Sequence, residues 1–168
     1  MFSLIAKVLR LTNWLNWIVA VLLIFLFSLM LFGPASFHDA LFNRFAEGPP
    51  RETMKSYLFG LTLLLVPCAI GVHFILTRLS ALVLDAAKGA AFTETSAKRL
   101  RSIGWALLAI NIADLVFGWL STRASAATGE YFGWSFSLTG WIAVPMLFVL
   151  AHVFREGAAM REDLEGTV

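Results

Sequence analysis

Four long apolar runs dominate this sequence and limit what it can fold into. Residues 11–37 contain no acidic, lysine or arginine side chain, and the runs at 57–77, 103–121 and 136–154 contain only Asp114. About 20 helical residues cross a hydrocarbon layer, and a helix satisfies its own backbone hydrogen bonds, as that layer requires. The sequence therefore predicts an all-α integral membrane protein with four transmembrane helices. The spans are predicted at about 14–32, 57–77, 103–121 and 136–154, within a single domain of residues 1–168.

The composition agrees with a lipid environment. Hydrophobic residues make up 59% of the chain and charged residues 14%, whereas an ordinary soluble domain has about 25% charged residues. The first apolar run is longer than the roughly 7–15 residues of a signal-peptide core, so we expect it to be retained as a helix after a short amphipathic lead-in. Cys68 is the only cysteine, which excludes an intramolecular disulfide.

The distribution of lysine and arginine predicts the orientation. The two termini and the connector at 78–102 hold nine of the thirteen basic residues: Lys7, Arg10, Arg78, Lys88, Lys98, Arg99, Arg101, Arg155 and Arg161. The other two loops hold Arg44, Arg51, Lys55 and Arg123. Because loops rich in lysine and arginine stay in the cytoplasm, we expect two helical hairpins with both termini and the connector on the cytoplasmic side.

The connector and the C-terminal tail, residues 155–168, carry charges that could contact another protein. In the connector, Gly89 is a natural helix stop and Thr93 a good N-cap for the next helix. The cations Lys98, Arg99 and Arg101 follow, and the tail ends in the acidic residues Glu162, Asp163 and Glu165. The cations could anchor the chain to anionic headgroups or dock a cytoplasmic partner. The acids could pair with those cations, dock a basic partner, or lie on a solvated tail.

A short amphipathic segment separates the first two spans. Residues 37–46 place Phe37, Leu41, Phe42 and Phe45 on one side of a predicted helix, with polar residues opposite. This pattern favours an interfacial helix whose phenylalanines lie among lipid headgroups, and a sensor surface on the outer side is the alternative.

Two polar residues of the third span are candidates for chemistry within the membrane. Asp114 lies near the middle of the span, where an ionised carboxylate requires a partner or a proton. Asn111 lies one turn earlier, and Gly104 and Gly118 fall near the same stripe. These residues could form a proton relay or ligand site, or they could be the hydrogen-bonding and packing face between two helices.

Two histidines lie towards the predicted cytoplasmic ends of their spans, His73 in the second and His152 in the fourth. They could face each other and hold a b-type haem or a metal, although no spacing motif supports this and hydrogen-bonded histidines are the alternative. The prediction is therefore no metal and no cofactor.

Motifs of catalysis and of nucleic-acid binding are missing from the sequence. It contains no P-loop, glycine-rich nucleotide turn, paired-cysteine motif or HExxH motif, so we expect no enzyme. The basic residues lie against the membrane, so direct binding of nucleic acid is not expected either.

Two segments resemble a known family. The segment AAFTETSAKRLRSIGWALL at 90–108 and the tail VFREGAAMREDLEGTV at 153–168 are similar to motifs of a widespread, uncharacterised family of four-helix bacterial membrane proteins, a domain of unknown function. Ala91 and Met160 replace its usual proline and leucine. The resemblance implies a multi-pass protein of the bacterial inner (cytoplasmic) membrane, often encoded beside a small helix-turn-helix regulator. It supplies no catalytic residues.

These observations lead to one functional hypothesis and two alternatives. We expect a regulatory or sensory membrane subunit that docks a cytoplasmic partner, a small helix-turn-helix regulator, through the connector and the acidic tail. The alternatives are a small carrier or haem-binding bundle that uses Asp114, His73 and His152, and a structural homo-oligomer in the bilayer.

Overall fold

The computed structural model describes residues 2–34, 42–43, 45 and 48–165, and for residues 162–165 it describes the backbone alone. Within these residues the chain forms four α-helices and no strand. The helices are α1 (Phe2–Phe32), α2 (Pro49–Ala87), α3 (Glu94–Thr128) and α4 (Leu138–Glu165). The all-α prediction is confirmed for this part of the chain.

Each of the four helices is long and apolar enough to cross a membrane. Their apolar side chains are largely exposed: in the most apolar window of α1, only 6% of the residues are buried. In water, contiguous apolar surfaces of this extent drive association. Lipid tails solvate such surfaces as well as a protein interior does, so a membrane protein can leave them uncovered.

The helices extend beyond the predicted spans. The predicted lead-in and first span form the single helix α1, and α4 continues past the predicted span end at 154 into the tail. The predicted spans at 103–121 and 136–154 imply a loop at 122–135, which was wrong in its first half, because α3 runs to Thr128 and the loop occupies 129–137. Hydropathy marks where the hydrocarbon ends, whereas a helix can continue into water when residues such as the alanines at 124, 126 and 127 favour it.

Local sequence explains where α2 ends and α3 begins. Gly89 has a positive φ of 75°, its N–H donates to the carbonyl of Ala86, and the N–H of Ala90 donates to the carbonyl of Asp85. This pair of bonds is the Schellman ending that glycine permits. Thr93 directly precedes α3, and its hydroxyl accepts a hydrogen bond from the Ser96 N–H at 3.1 Å. The predicted N-cap is therefore confirmed.

The described chain divides into two compact units. The connector unit comprises Met1–Asn16, Ile70–Asn111 and Ser137–Val168, and the loop unit comprises Trp17–Ala69 and Ile112–Phe136. Helices α1, α2 and α3 contribute to both units, whereas α4 belongs to the connector unit.

The loop unit has an apolar core. Its buried residues are Phe42, Phe45, Met54, Tyr57, Leu58 and Ala124. The prediction that Phe42 and Phe45 lie among headgroups was therefore wrong, because α2 and α3 offer them protein surface instead. The rest of the predicted helix at 37–46 lies outside the described residues, apart from Asn43, whose side-chain oxygen accepts a hydrogen bond from Arg51 at 2.9 Å.

The segment after α3 is held against the same unit. The Phe132 N–H donates to the Ser125 hydroxyl at 2.9 Å, and the Phe132 ring lies 5.1 Å from that of Tyr57. Trp134 then covers Gly118, where an added Cβ would lie 2.3 Å from the indole. Glycine at 118 is therefore a requirement of this close approach.

We predict that Gly118→Ala destabilises the protein by about 1–3 kcal/mol, the usual cost of overpacking a close contact. The Trp134 ring would have to move, and thermal unfolding in detergent would show a lower midpoint. Gly60→Ala is the matched control, since its added Cβ would meet only the flexible end of Leu120 and should cost less. Equal midpoints for Gly118→Ala and the wild type would contradict this packing.

Candidate functional site where the connector meets α3 and α4

A partly buried ion pair holds the two ends of the connector together. The Arg99 guanidinium, at the start of α3, donates to the Asp85 carboxylate at the end of α2, and the two side chains are 22% and 29% exposed. The Asp85 backbone carbonyl also accepts the hydrogen bond that ends α2. Arg99, predicted as a docking residue, is thus engaged in closing the turn between the helices.

Lys98 lies on the exposed side of α3 and pairs with an acid of its own helix. Its ammonium is 2.7 Å from the Glu94 carboxylate, and both side chains are exposed. The hydrogen bond from Lys98, and then its positive charge, lower the pKa of Glu94. Solvent and salt weaken such a pair, so Lys98 can exchange partners easily.

The end of α4 packs against the connector. The Phe92 and Phe154 rings lie 4.9 Å apart, and the Arg161 guanidinium donates to the Gly89 carbonyl at 3.4 Å. The tail is therefore attached to the connector as far as residue 161. The side chains of Glu162, Asp163 and Glu165 lie outside the described residues, so their predicted pairing with the cations stays a prediction.

A cavity of about 510 Å³ lies between α3 and α4. Its polar lining comes from Glu94, Lys98, Arg101, His152 and Arg155, and its other lining residues are Ala97, Trp105, Leu108, Phe148 and Ala151. The Trp105 and Phe148 rings meet edge to face at 5.3 Å, and Phe148 also covers Gly104. The cavity is thus cationic at one side and aromatic at the other.

The sequence contained a signal for this cavity. Residues 94, 98, 101, 105 and 108 recur at helical spacing on one face of α3, and residues 148, 152 and 155 do the same on α4. The pattern gives each face but not the pairing of the two, so Trp105, Phe148 and Arg155 were not predicted as site residues.

The two histidines have separate partners. His73 Nδ1 lies 2.9 Å from the Asn13 side-chain oxygen on α1. His152 Nδ1 accepts from Arg155 at 3.0 Å, and His152 Nε2 lies 2.9 Å from the Glu156 carboxylate. Both ring nitrogens of His152 are thus engaged by its own helix, which agrees with the hydrogen-bonded alternative better than with a haem ligand.

The two polar residues of the third span belong to different units, Asn111 to the connector unit and Asp114 to the loop unit. The Trp134 indole N–H donates to the Asp114 carboxylate at 3.4 Å, so Asp114 has a hydrogen-bond partner. Asn111 packs against Gly140, where an added Cβ would lie 2.3 Å from the amide oxygen, and its amide nitrogen has no partner among the described residues. Both arrangements fit the packing alternative; the relay or ligand site stays a prediction.

The described residues thus form an all-α structure with four helices long and apolar enough to cross a membrane, which suggests a multi-pass membrane protein. The chain belongs to the family described as protein of unknown function (DUF2975), whose profile matches residues 5–168. This match confirms the resemblance at the level of the family. Searches of curated proteins and of solved structures return no match.

We predict that Asp85→Asn destabilises the connector by about 1 kcal/mol, because Arg99 would lose its charged partner in a partly buried position. Faster hydrogen exchange of amides 86–93 would report the change. Glu94→Gln is the control: it removes the carboxylate of an exposed pair and should cost at most about 0.5 kcal/mol. If Asp85→Asn exchanges no faster than Glu94→Gln, the ion pair does not hold the connector.

Proposed function

We propose that the protein is a regulatory or sensory membrane subunit that docks a cytoplasmic partner on the connector and the end of α4. We define the docking surface as residues 88–93 and 153–165. The attachment of the tail to the connector supports this proposal most strongly, through Phe92, Phe154 and the Arg161 to Gly89 bond. A partner would meet one preformed surface, which lowers the ordering cost of binding.

Exposed apolar side chains on this surface also support docking. Phe92 is 49% exposed and Met160 is 63% exposed, although both lie outside the predicted spans. Lys88 and Glu156 are exposed near them in sequence. Apolar anchors bordered by charge are typical of protein interfaces.

The proposed partner is a small helix-turn-helix regulator, as the family resemblance implies. The acidic tail residues Glu162, Asp163 and Glu165 would attract the basic surface of such a protein. Lys98 is exposed and would contact acidic groups of the same partner. Arg99 would contribute indirectly, by holding the connector in shape.

We further propose that the protein lies in the bacterial inner membrane with both termini and the connector in the cytoplasm. Four helices that each cross once place the two chain ends on the same side. The side with nine of the thirteen lysines and arginines is then cytoplasmic.

The orientation can be tested with reporter fusions. Green fluorescent protein fused after Val168 should fluoresce, and alkaline phosphatase fused there should be inactive, because the tail is cytoplasmic. Insertion of the same reporters after Gly129, between α3 and α4, should give the opposite pair of results. Active phosphatase at the C-terminus would reverse the proposed orientation.

Docking can be tested by affinity capture of the full-length protein from gently crosslinked native membranes. The test variant carries Glu162→Gln, Asp163→Asn and Glu165→Gln together. Loss of these charges should reduce recovery of the partner at least about tenfold, since charge complementarity dominates the proposed contact.

A matched control removes acids from the loop unit instead. Glu52→Gln combined with Glu130→Gln changes two exposed carboxylates on the predicted outer side and should leave recovery unchanged. Mass spectrometry identifies the captured protein, which should contain a helix-turn-helix domain. Equal recovery with the tail variant, or a captured protein of another class, would contradict the corresponding part of the proposal.

A further inference from the structure

The cavity between α3 and α4 has a one-sided distribution of charge. Three cations, Lys98, Arg101 and Arg155, line it together with one carboxylate, Glu94. Glu94 is already paired with Lys98 at 2.7 Å, so Arg101 and Arg155 supply the net positive charge. Both arginines are exposed. An anion entering the cavity would therefore meet two guanidinium groups.

The guanidinium groups can bind an anion and keep their present hydrogen bonds. Arg155 uses one N–H to donate to His152 Nδ1 at 3.0 Å, and a guanidinium has five N–H donors. The planar fork of arginine matches two oxygens of a phosphate. His152 also contacts Glu156, at 2.9 Å from its Nε2, so that carboxylate is engaged beside the cavity.

The other side of the cavity is apolar and lies within the predicted spans. Trp105 and Leu108 follow the start of the third span at 103, and Phe148 lies in the fourth. Trp105 is 56% exposed, although it packs edge to face on Phe148. An aromatic ring in this position, at the boundary between polar and apolar segments, is typical of contact with lipid.

We propose that this cavity is a binding site for an anionic phospholipid. Arg101 and Arg155 bind the headgroup phosphate, and the acyl chain lies on Trp105, Leu108 and Phe148. A volume of about 510 Å³ suits a glycerophosphate headgroup and the first part of an acyl chain. Basic pockets between transmembrane helices bind anionic headgroups by the same chemistry. Free phosphate would use the arginines but leave the apolar side uncovered, and the proposal does not depend on a docked protein.

Quenching of tryptophan fluorescence by brominated lipids tests the site directly. The full-length protein is placed in phosphatidylcholine nanodiscs that contain either dibromo-phosphatidylglycerol or dibromo-phosphatidylcholine at the same mole fraction. We expect stronger quenching by dibromo-phosphatidylglycerol, because the site concentrates this anionic lipid beside Trp105. The excess should disappear in Trp105→Phe, which removes the reporter and keeps an aromatic ring in the cavity.

Variants of the two arginines distinguish binding of phosphatidylglycerol in the cavity from contact with the surrounding lipid. Arg101→Gln with Arg155→Gln should weaken the preference for phosphatidylglycerol at least about tenfold, whereas Arg101→Lys with Arg155→Lys should keep most of it. Lys55→Gln with Arg123→Gln is the matched control, with two cations removed from the loop unit, and should behave as the wild type. Circular dichroism verifies that each variant is folded.

Three outcomes would overturn the proposal. Equal quenching by the two brominated lipids would mean that only bulk lipid contacts Trp105. An unchanged preference in the glutamine variant would place the anionic lipid elsewhere. Complete displacement of dibromo-phosphatidylglycerol by inorganic phosphate, or by the acidic peptide of residues 156–168, would identify a different ligand for the cavity.

Discussion

The absence of water around a membrane-spanning backbone is the constraint on which this structure depends. A free N–H or C=O group in hydrocarbon costs several kcal/mol, so the chain can break its helices only where water or protein meets the break. The connector and the segment at 129–137 are such places. In the connector, the Gly89 ending and the Thr93 cap satisfy several of the backbone groups that the break exposes.

Lipid solvates apolar side chains, so no hydrophobic effect drives the helices together. Close contacts must therefore specify how the helices pack. The structure supplies them where a small residue meets a large one, as Gly118 meets Trp134 and Gly104 meets Phe148. A few side-chain hydrogen bonds between helices also fix how these helices face each other. Among them are His73 to Asn13 in the connector unit and Tyr57 to Ser121 in the loop unit. The polar residues of the spans fit this structural role.

Neighbouring cations of one sequence cluster have different roles because a helix turns by about 100° per residue. Arg99 points to Asp85 and holds the connector. Lys98 and Arg101 lie on the face that forms the cavity with α4. Arg161, from the far end of the chain, reaches the Gly89 carbonyl. The connector is therefore a turn between helices whose cations face different parts of the structure.

The sequence by itself determined the helical class, the number of described spans, the stop at Gly89, the cap at Thr93 and the family. These features depend on hydropathy, local hydrogen bonding and motif identity, which act over a few neighbouring residues. Only the tertiary structure decided that Asp85 pairs with Arg99, that Phe42 is buried, and that one face of α3 forms a cavity with α4. Such pairings join residues of different helices or segments, and in lipid no apolar periodicity indicates which helix faces which.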